Sequence, residues 1–440
     1  MLRKQTKIYI IILLLMLLTN IGYSQQYWLK QVSPTQKRLN DVHFLDSLTG
    51  WAAGDSGIIL HTTNGGTNWS IQTSGINDYI SSIYFTDVNT GWATALRFTP
   101  TNYFTVLLQT SNGGINWNNT QLTDTNQFYY NVYFWDNQTG WMGGENGRIL
   151  KSTNGGSDWY ETQNDSSIFS GFPVFDFEFY SEDYGFAMGG ANDISGVIWR
   201  TTDGGENWST TGGSVLGSEP YFGMVFFDSL NINCVGGDFD FGSSIIRTTN
   251  GGLNWDYEVL GIFGFASSLS FRTRAEGWSP LGFEKKFMYT LDSGNTWQTV
   301  FTPDSSEIYD VQFTDYRNGY AVGRQGTILK YNSDLINIHS IAGELPTAFS
   351  LKQNYPNPFN PSTRIEYDLK NAGNVSLRLF NTLGKEILMI YDGFQTAGSY
   401  YTILEGSGLS AGVYYYRLEF VPSVSSLNRY TETKKLVLIK

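Results

Sequence analysis

The sequence has few of the residues that form crosslinks, metal sites or catalytic centres. It contains 1 cysteine and 3 histidines in 440 residues. One cysteine, Cys234, excludes an internal disulfide, so a packed core must hold the fold together. His43, His61 and His339 do not have the spacing of metal ligands. No G-x-S-x-G, H-E-x-x-H or P-loop pattern occurs. We therefore predict no catalytic residue, no metal and no cofactor.

Basic residues and long apolar runs are also scarce. Lys and Arg number 28 against 40 Asp and Glu, a net charge of −12. Nucleic-acid binding requires clustered Lys and Arg, so we expect no nucleic-acid partner. The apolar run at residues 8–18 is shorter than the about 20 residues of a spanning helix. Basic residues precede it and Gly22-Tyr-Ser-Gln follows it. This order predicts a secretory signal peptide at residues 1–24 and no transmembrane segment in the mature chain.

What the sequence does have is aromatic residues, at 16%, and 48 glycines, which indicate an all-β protein rich in turns. One phrase occurs six times: TTNGGTNW, TSNGGINW, STNGGSDW, TTDGGENW, TTNGGLNW and TLDSGNTW. Its Asn or Asp is expected to bond its own backbone two residues on, and its glycines to adopt positive φ. We predict a structural role for the turn residue and tryptophan of each phrase: Asn64 and Trp69, Asn112 and Trp117, Asn154 and Trp159, Asp203 and Trp208, Asn250 and Trp255, and Asp292 and Trp297.

A second pattern, a short strand with a Phe at a fixed place, occurs seven times. The Phe residues are Phe44, Phe85, Phe134, Phe179, Phe226, Phe271 and Phe313. Four short strands per unit of about 45 residues are typical of a β-propeller blade. Seven Phe strands but six phrases suggest that the strand at Trp28, which resembles the one at Trp69, completes the last blade. We predict a seven-bladed β-propeller over residues 26–336.

These repeats resemble two known groups. TLDSGNTW resembles the Asp-box, or bacterial neuraminidase, repeat, and the whole array is similar to the propellers of photosystem II stability and assembly factors. The resemblance implies that the boxes are structural. Sialidases with such boxes need an arginine triad, a tyrosine with a glutamate partner and an acidic proton donor, and no such arrangement could be assigned here. An Asp-box-type glycoside hydrolase, sialidase-like or polysaccharide-degrading, stays the alternative to a binding protein.

Two surfaces are candidates for ligand binding. The residue before each box gives His61, Gln109, Lys151, Arg200, Arg247, Tyr289 and Lys330 around the ring. These residues form either a positive band for an anionic partner or glycan, or solvated strand ends. The second surface carries the fourth-to-first connections and second-to-third turns, where insertions bring Phe98, Tyr103 and Phe104, residues 169–175, and Phe263 and Phe265. Loops on a rigid scaffold often carry binding, so we expect this face to contact a sugar or a protein.

The composition changes after residue 336. A linker at 337–346 is predicted to precede a small Ig-like β-sandwich at 347–440. NYPNPFNPST, LRLFNTLGKEI, LSAGVYYYRL and the end TKKLVLIK resemble the C-terminal sorting domain of the type IX secretion system. The resemblance implies that the type IX machinery is a partner and that the protein is secreted or held at the outer cell surface. We therefore expect an exported propeller that binds a surface polymer or another protein.

Overall fold

A computed structural model describes residues 27–124, 126–212, 216–332, 338–341, 345–406, 409–422 and 429–439. The predicted signal peptide, residues 1–24, lies outside the described residues. The chain divides into two compact units, formed mainly by residues 30–333 and by residues 334–440. Strands account for nearly all regular structure, and the described helical segments are five 3-10 turns: Asp55–Gly57, Glu145–Gly147, Ile168–Gly171, Pro303–Ser305 and Arg324–Gly326.

The first unit is built from short strands in a repeating order. They are Trp28–Lys30 (β1), Leu39–Phe44 (β2), Gly50–Gly54 (β3), Ile58–Thr62 (β4), Ser70–Thr73 (β5), Tyr79–Phe85 (β6), Gly91–Phe98 (β7), Tyr103–Thr110 (β8), Asn118–Gln121 (β9), Tyr129–Phe134 (β10), Gly140–Gly144 (β11), Ile149–Ser152 (β12), Tyr160–Glu161 (β13), Gln163–Asn164 (β14), Val174–Phe179 (β15), Gly185–Ala191 (β16), Ser195–Thr201 (β17), Asn207–Thr211 (β18), Tyr221–Phe226 (β19), Ile232–Asp238 (β20), Gly242–Thr248 (β21), Asp256–Ile262 (β22), Ser270–Phe271 (β23), Gly277–Pro280 (β24), Lys286–Thr290 (β25), Gln298–Phe301 (β26), Ile308–Phe313 (β27), Gly319–Gly323 (β28) and Ile328–Tyr331 (β29).

These strands form seven sheets within the described residues. Six follow chain order, starting from β2, β6, β10, β15, β19 and β23, and β14 adds a parallel fifth strand to the β15 sheet. The seventh has the order β1-β29-β28-β27, so the first described strand lies at its edge beside β29. The first strands contact one another in the order β2, β6, β10, β15, β19, β23 and β27, and β27 contacts β2. The seven first strands therefore form a closed ring.

One aromatic arrangement explains why the sequence repeats a Phe and a Gly-aromatic pair. The ring of Phe85 stacks on Trp51 of the preceding sheet at 3.5 Å, and Phe44 stacks on Tyr320 at 3.6 Å. The repeated Phe ring also covers the second strand of its own sheet. A Cβ on Gly50, for example, would lie 2.4 Å from the Phe44 ring. Glycine at this position therefore makes room for the Phe, and the Phe joins two neighbouring sheets. This packing buries the second strand β3 completely, while the fourth strands β5 and β9 are mostly exposed.

The second unit contains two four-stranded sheets with the orders β30-β35-β32-β31 and β34-β33-β36-β37. Their strands are Ile338–Ile341 (β30), Ser350–Leu351 (β31), Ser362–Leu369 (β32), Gly373–Phe380 (β33), Glu386–Gln395 (β34), Gly398–Glu405 (β35), Gly412–Pro422 (β36) and Tyr430–Leu438 (β37). β30 falls inside the segment predicted as a linker, 337–346, and pairs with β35. The linker prediction is corrected here, because residues 338–341 form a strand. This strand pairs with the backbone edge that β35 presents on the side away from β32.

Candidate functional site

The six repeated phrases form the same hydrogen-bonded turn. In the first, the Gly66 amide donates to Thr62 Oγ1 at 3.1 Å, and the Asn68 amide donates to Asn64 Oδ1 at 2.9 Å. Equivalent bonds occur in the other five. The predicted bond two residues on is corrected, because the acceptor reaches the amide four residues on. Gly65 and Gly66, with φ of 64° and 76°, fold the chain back far enough to bring it there.

The tryptophan that ends each phrase packs on a Phe ring. Trp69 meets Phe44 edge-on at 5.7 Å and 87°, and Trp117 meets Phe85 at 5.8 Å and 85°. Trp159, Trp208 and Trp255 make similar edge contacts, and Trp297 packs against the core of its sheet. These contacts are the ones expected of structural residues, and the structural role of the box residues stays a prediction.

The residues before the boxes reach across to the neighbouring sheet. Lys330 Nζ donates to the Gly65 carbonyl at 2.8 Å, and Arg247 Nη2 donates to the Gly294 carbonyl at 2.6 Å. Lys151 forms a 2.7 Å ion pair with Glu206 and is itself only 8% exposed at its side chain. In each case the partner belongs to the box of the next sheet. The side chain before the box therefore links its own sheet to the box turn of the next sheet.

The other members of the predicted band stack on aromatic rings or repeat this bond. His61 stacks on Trp51 at 4.8 Å, and Arg200 lies 5.2 Å from the ring of Tyr184. Gln109 donates to the Gly155 carbonyl at 3.0 Å, and Tyr289 stacks on Trp278. Solvated strand ends, one of the two alternatives for this band, do not fit these contacts. Anion binding at the band stays a prediction, and the contacts favour a structural role.

The predicted loop aromatics separate into a surface group and a core residue. Phe98 is 74% exposed at the tip of the β7–β8 hairpin, and Tyr103 lies 6.4 Å from it. Phe104 is buried within the hydrophobic cluster of the β6 sheet. Its prediction as a ligand contact is corrected: strand alternation turns it inward while Tyr103 faces out.

From this hairpin a line of aromatic rings runs along the face, which we name the aromatic crescent. Neighbouring ring centroids lie 4.6 to 6.3 Å apart, and the stacked pair Phe175 and Phe222 is 5.2 Å apart. The members are Phe98, Tyr103, Phe128, Tyr130, Phe175, Phe222, Phe265, Phe239, Phe283 and Phe263. Phe98, at one end, is 74% exposed, and Phe239 and Phe263, near the other end, are 55% and 56% exposed. Both ends of the crescent therefore offer apolar surface to solvent.

Polar residues of the first strands form a second feature, which sequence analysis missed. Asp41, Asp310, Asp176, Asn131 and Glu178 form what we name the central carboxyl cluster. Asn131 Nδ2 donates to Asp176 Oδ1 at 3.0 Å, which joins the β10 and β15 sheets. Asp41 and Asp310 accept the amides of Ile83 and Val42 from the next first strands at 2.6 and 2.9 Å.

Three acids of this cluster, Asp41, Asp176 and Glu178, hold protons more tightly than ordinary carboxyls. Burial raises the pKa of Asp176 to about 7 and that of Glu178 to about 8, and the neighbouring acids add to both effects. The pKa of Asp41 is raised well above its usual value by burial and then by Asp310. On the same strands, burial lowers the pKa of His43 to about 4. The ionised forms of Asp41, Asp176 and Glu178 are thus poorly solvated.

A pattern that could have revealed the cluster is present in the repeat. Asp41, Asp176 and Asp310 each stand three residues before the repeated Phe, in DVHF, DFEF and DVQF. Tyr130, Phe175 and Phe222 of the crescent stand four residues before it. The Phe strands therefore encode both features at two adjacent positions.

The described part of the chain contains no group of three or more His, Cys, Asp or Glu side chains arranged to hold a metal ion. It also contains no helix long and apolar enough to cross a membrane.

Family comparisons match both parts of the chain. Residues 22–125 and 72–218 match the family of the photosynthesis system II assembly factor YCF48. Residues 353–438 match the secretion system C-terminal sorting domain. The resemblances to the photosystem II assembly factor propellers and to the type IX sorting domain are confirmed. The sorting domain indicates handling by the type IX system and export to the cell surface. No curated protein sequence matches the chain.

Solved structures of similar fold include YCF48 bound to D1 peptide, which is 20% identical, with 70% of this chain and 97% of that chain covered at a TM-score of 0.55. The WD40 β-propeller domain of Doa1 is 12% identical, covering 69% and 97%, at a TM-score of 0.50. A GH74 xyloglucanase from Xanthomonas campestris is 10% identical, covering 78% and 59%, at a TM-score of 0.54. These likenesses show an all-β fold of the β-propeller type.

Proposed function

We propose that this protein is a secreted or surface-held binding module: a seven-bladed propeller closed by β1, followed by an Ig-like sorting domain that brings it through the type IX system. A signal peptide at residues 1–24 would deliver it to the first membrane. The ligand is a surface polymer or another protein. The YCF48-like repeats and the sorting-domain match support a binding role outside the cell.

The observation that carries this proposal is the aromatic crescent. Ten rings in mutual contact extend over the sheets that begin with β6, β10, β15, β19 and β23, and the exposed ends carry Phe98, Phe239 and Phe263. Exposed rings such as those of Phe98, Phe239 and Phe263 are costly in water and favour contact with a sugar face or an apolar side chain. Because the crescent extends over five sheets, it suits a ligand that is longer than a single loop could contact.

The experiment is a pull-down with the mature chain against envelope extract of the source cell and a set of polysaccharides, read by mass spectrometry and glycan analysis. We expect a saturable partner that is lost in a variant with Phe98→Ala and Phe263→Ala. Ile71→Ala is the control, because Ile71 is 56% exposed on the outer strand β5, in a sheet that contributes no ring to the crescent. Equal retention by the crescent variant and the control would reject this face.

A glycoside hydrolase of the Asp-box type is the second candidate, and the central carboxyl cluster is the observation that favours it. Glycosidases use two carboxyl groups, one of which acts as an acid with a raised pKa. Asp176, with a pKa of about 7, and Asp41 are suitable in character. Incubation with the polysaccharides that bind would release shortened products, and Asp176→Asn would abolish the release. Intact polysaccharide after prolonged incubation would remove this candidate.

A further inference from the structure

A polar cleft lies between the β23 sheet and the sheet that β1 closes, and we name it the closing cleft. Its volume is about 500 Å³, which is within the usual range of ligand pockets. Residues 30–36, Lys285, residues 304–307 and residues 324–327 contribute to its walls. These are mainly second-to-third turns and fourth-to-first connections, the kind of loop that also carries the aromatic crescent. Because every side chain that lines the cleft is polar or charged, it suits a hydrophilic ligand with many hydrogen-bonding groups.

Positive charge exceeds negative charge in the closing cleft, although the chain as a whole has a net charge of −12. Three cationic side chains and two carboxylates line the cleft. Lys30 pairs with Asp304 at 3.2 Å, and Arg324 pairs with Glu307 at 2.7 Å. These two pairs use both carboxylates, so the third cation, Lys285, leaves the cleft with one uncompensated positive charge.

Two cationic groups of the cleft keep N–H donors unused. The carbonyl of Lys285 accepts from Thr302 Oγ1 at 3.0 Å, but its ammonium has no hydrogen bond or ion pair with any residue that the structure describes. Arg324 bonds Glu307 through Nη1, and the other N–H groups of this guanidinium have no partner within the described ranges. An ammonium and a guanidinium that line one cleft can hold an anionic oxygen group by charge-assisted hydrogen bonds.

The backbone that carries these groups adopts an unusual conformation. Lys285, Asp304 and Ser305 have φ of 58°, 53° and 52°, a region that is unfavourable for most side chains because Cβ crowds the following carbonyl. Buried Thr302 joins the two segments, since its amide and its Oγ1 donate to the Lys285 carbonyl at 2.9 and 3.0 Å. Backbone held in such conformations by its surroundings is found most often at ligand-binding positions. Lys285 is therefore fixed beside the cleft by the fold.

The closing cleft continues the aromatic crescent. Phe283 is a member of the crescent and lies in the same turn as Lys285, between β24 and β25. A long ligand that covers the crescent as far as Phe283 therefore reaches the cleft next. The crescent offers it apolar contact, and the cleft offers it charge and hydrogen bonds.

We propose that the closing cleft binds an acidic sugar residue of a polysaccharide that lies along the crescent. The proposal rests on the proposed binding function and names the ligand class for it. The carboxylate or sulfate of the sugar contacts the free N–H groups of Lys285 and Arg324. The side-chain amides of Gln36 and Gln325 and the hydroxyl of Ser305 match the sugar hydroxyls, because all of these groups except the charged ones both donate and accept.

A densely acidic polypeptide fits the cleft less well than an acidic sugar. Asp304 and Glu307 repel the neighbouring carboxylates of such a peptide, whereas both can accept hydrogen bonds from the hydroxyls that surround the single charge of a sugar ring. The lining also has no apolar side chain against which the stems of peptide side chains could pack.

The test is calorimetry of the mature chain at low salt with hexagalacturonate, its uncharged methyl ester and a κ-carrageenan hexasaccharide, which separates sulfate from carboxylate recognition. At least one acidic hexasaccharide should bind about tenfold more tightly than the ester, the factor expected of one charge-assisted hydrogen bond. Lys285→Gln should remove most of this preference. Because the Lys285 ammonium has no described partner to lose, this variant should fold, and circular dichroism checks it.

Lys37→Gln is the matched control, because it removes the same charge from an exposed side chain of the same face that does not line the cleft. It should keep the preference. Equal binding of the acidic hexasaccharides and the ester, or equal losses in the two variants, would overturn the proposal. Tighter binding of hexaglutamate than of either acidic hexasaccharide would also overturn it, in favour of an acidic polypeptide.

The pull-down separates this result from the binding function itself. If Lys285→Gln retains a polysaccharide that the variant with Phe98→Ala and Phe263→Ala loses, the crescent binds and the closing cleft does not contribute. Loss of an acidic polysaccharide in both variants supports the cleft. Retention by both variants rejects the crescent and the cleft together.

Discussion

The amide of Val42 donates a 2.9 Å hydrogen bond to Oδ2 of Asp310, a residue 268 positions later in the chain. Beside it, Gln312 Oε1 accepts the Phe44 amide, and Phe44 stacks on Tyr320. The first and last repeats of the ring are thus joined by the same backbone-capping bonds and ring stacks that join consecutive repeats. Ring closure depends on side chains as well as on β1.

Asp310→Ala is therefore expected to destabilise the first unit by about 1–3 kcal/mol, because the amides of Val42 and Val311 lose a buried acceptor. Asp310→Asn should cost less, since its amide oxygen can still accept one of the two backbone amides while the repulsion with Asp41 disappears. Urea unfolding of the three proteins at pH 7 measures this order. A loss in the Asn variant as large as in the Ala variant would contradict it.

The raised pKa values predict how stability depends on pH. Between about pH 4 and 8 the folded protein retains protons on Asp41, Asp176 and Glu178 that the unfolded chain has released. The free energy of unfolding should therefore fall as pH rises through this range and level off above it, by at most about 1.4 kcal/mol per pH unit for each group. Glu178→Gln should flatten the upper part of the curve. Urea midpoints from pH 4.5 to 8.5 would reveal it, and a wild-type stability that rises over this range would contradict the prediction.

The local repeat made much of the fold predictable. A turn phrase, a Phe strand and a Gly-aromatic pair recur at a fixed spacing, and each is explained by contacts within one sheet or with the next, such as Phe85 on Trp51. Box tryptophans such as Trp69 pack as the pattern indicates. Patterns that depend on nearest-neighbour packing can be read from one sequence.

The central carboxyl cluster was harder to predict, because its residues belong to different sheets and meet only in the closed ring. Asp41 and Asp176 belong to different sheets, and their effect on each other depends on the closed arrangement of the first strands. For the band before the boxes, the sequence left two alternatives open, a positive band and solvated strand ends. Lys330 and Arg247 suggested free positive charge, but both donate to glycine carbonyls of the next sheet, a partner that only the folded ring provides.

Arg247 is expected to contribute to stability rather than to anion binding. It gives two bonds to the Gly294 carbonyl and one to Glu258. Arg247→Ala should cost about 1–2 kcal/mol, since hydrogen bonds to a charged donor are lost and a partly buried carbonyl is left without it. Retention of a sulfated polysaccharide on the mature chain should be the same for wild type and for Arg200→Ala with Arg247→Ala. A large loss of retention in the folded double variant would support the positive band instead.

The last repeat has no box, and its third strand, at Tyr331, contacts a buried ion pair from the β23–β24 turn of the neighbouring sheet. Arg272 and Glu276 pair at 2.5 Å, each side chain 3% exposed, and Glu276 Oε1 also accepts from Trp278 and Tyr331. Glu276→Ala should destabilise the first unit by about 3–5 kcal/mol, because it leaves the Arg272 charge buried without its partner. Arg274→Ala is the control: its pair with Asp228 is exposed and is worth at most about 1 kcal/mol. Urea unfolding of the two variants measures the loss of stability in each. Equal small losses would mean that the Arg272–Glu276 pair is replaceable, and that the packing of Tyr331 alone compensates for the missing box.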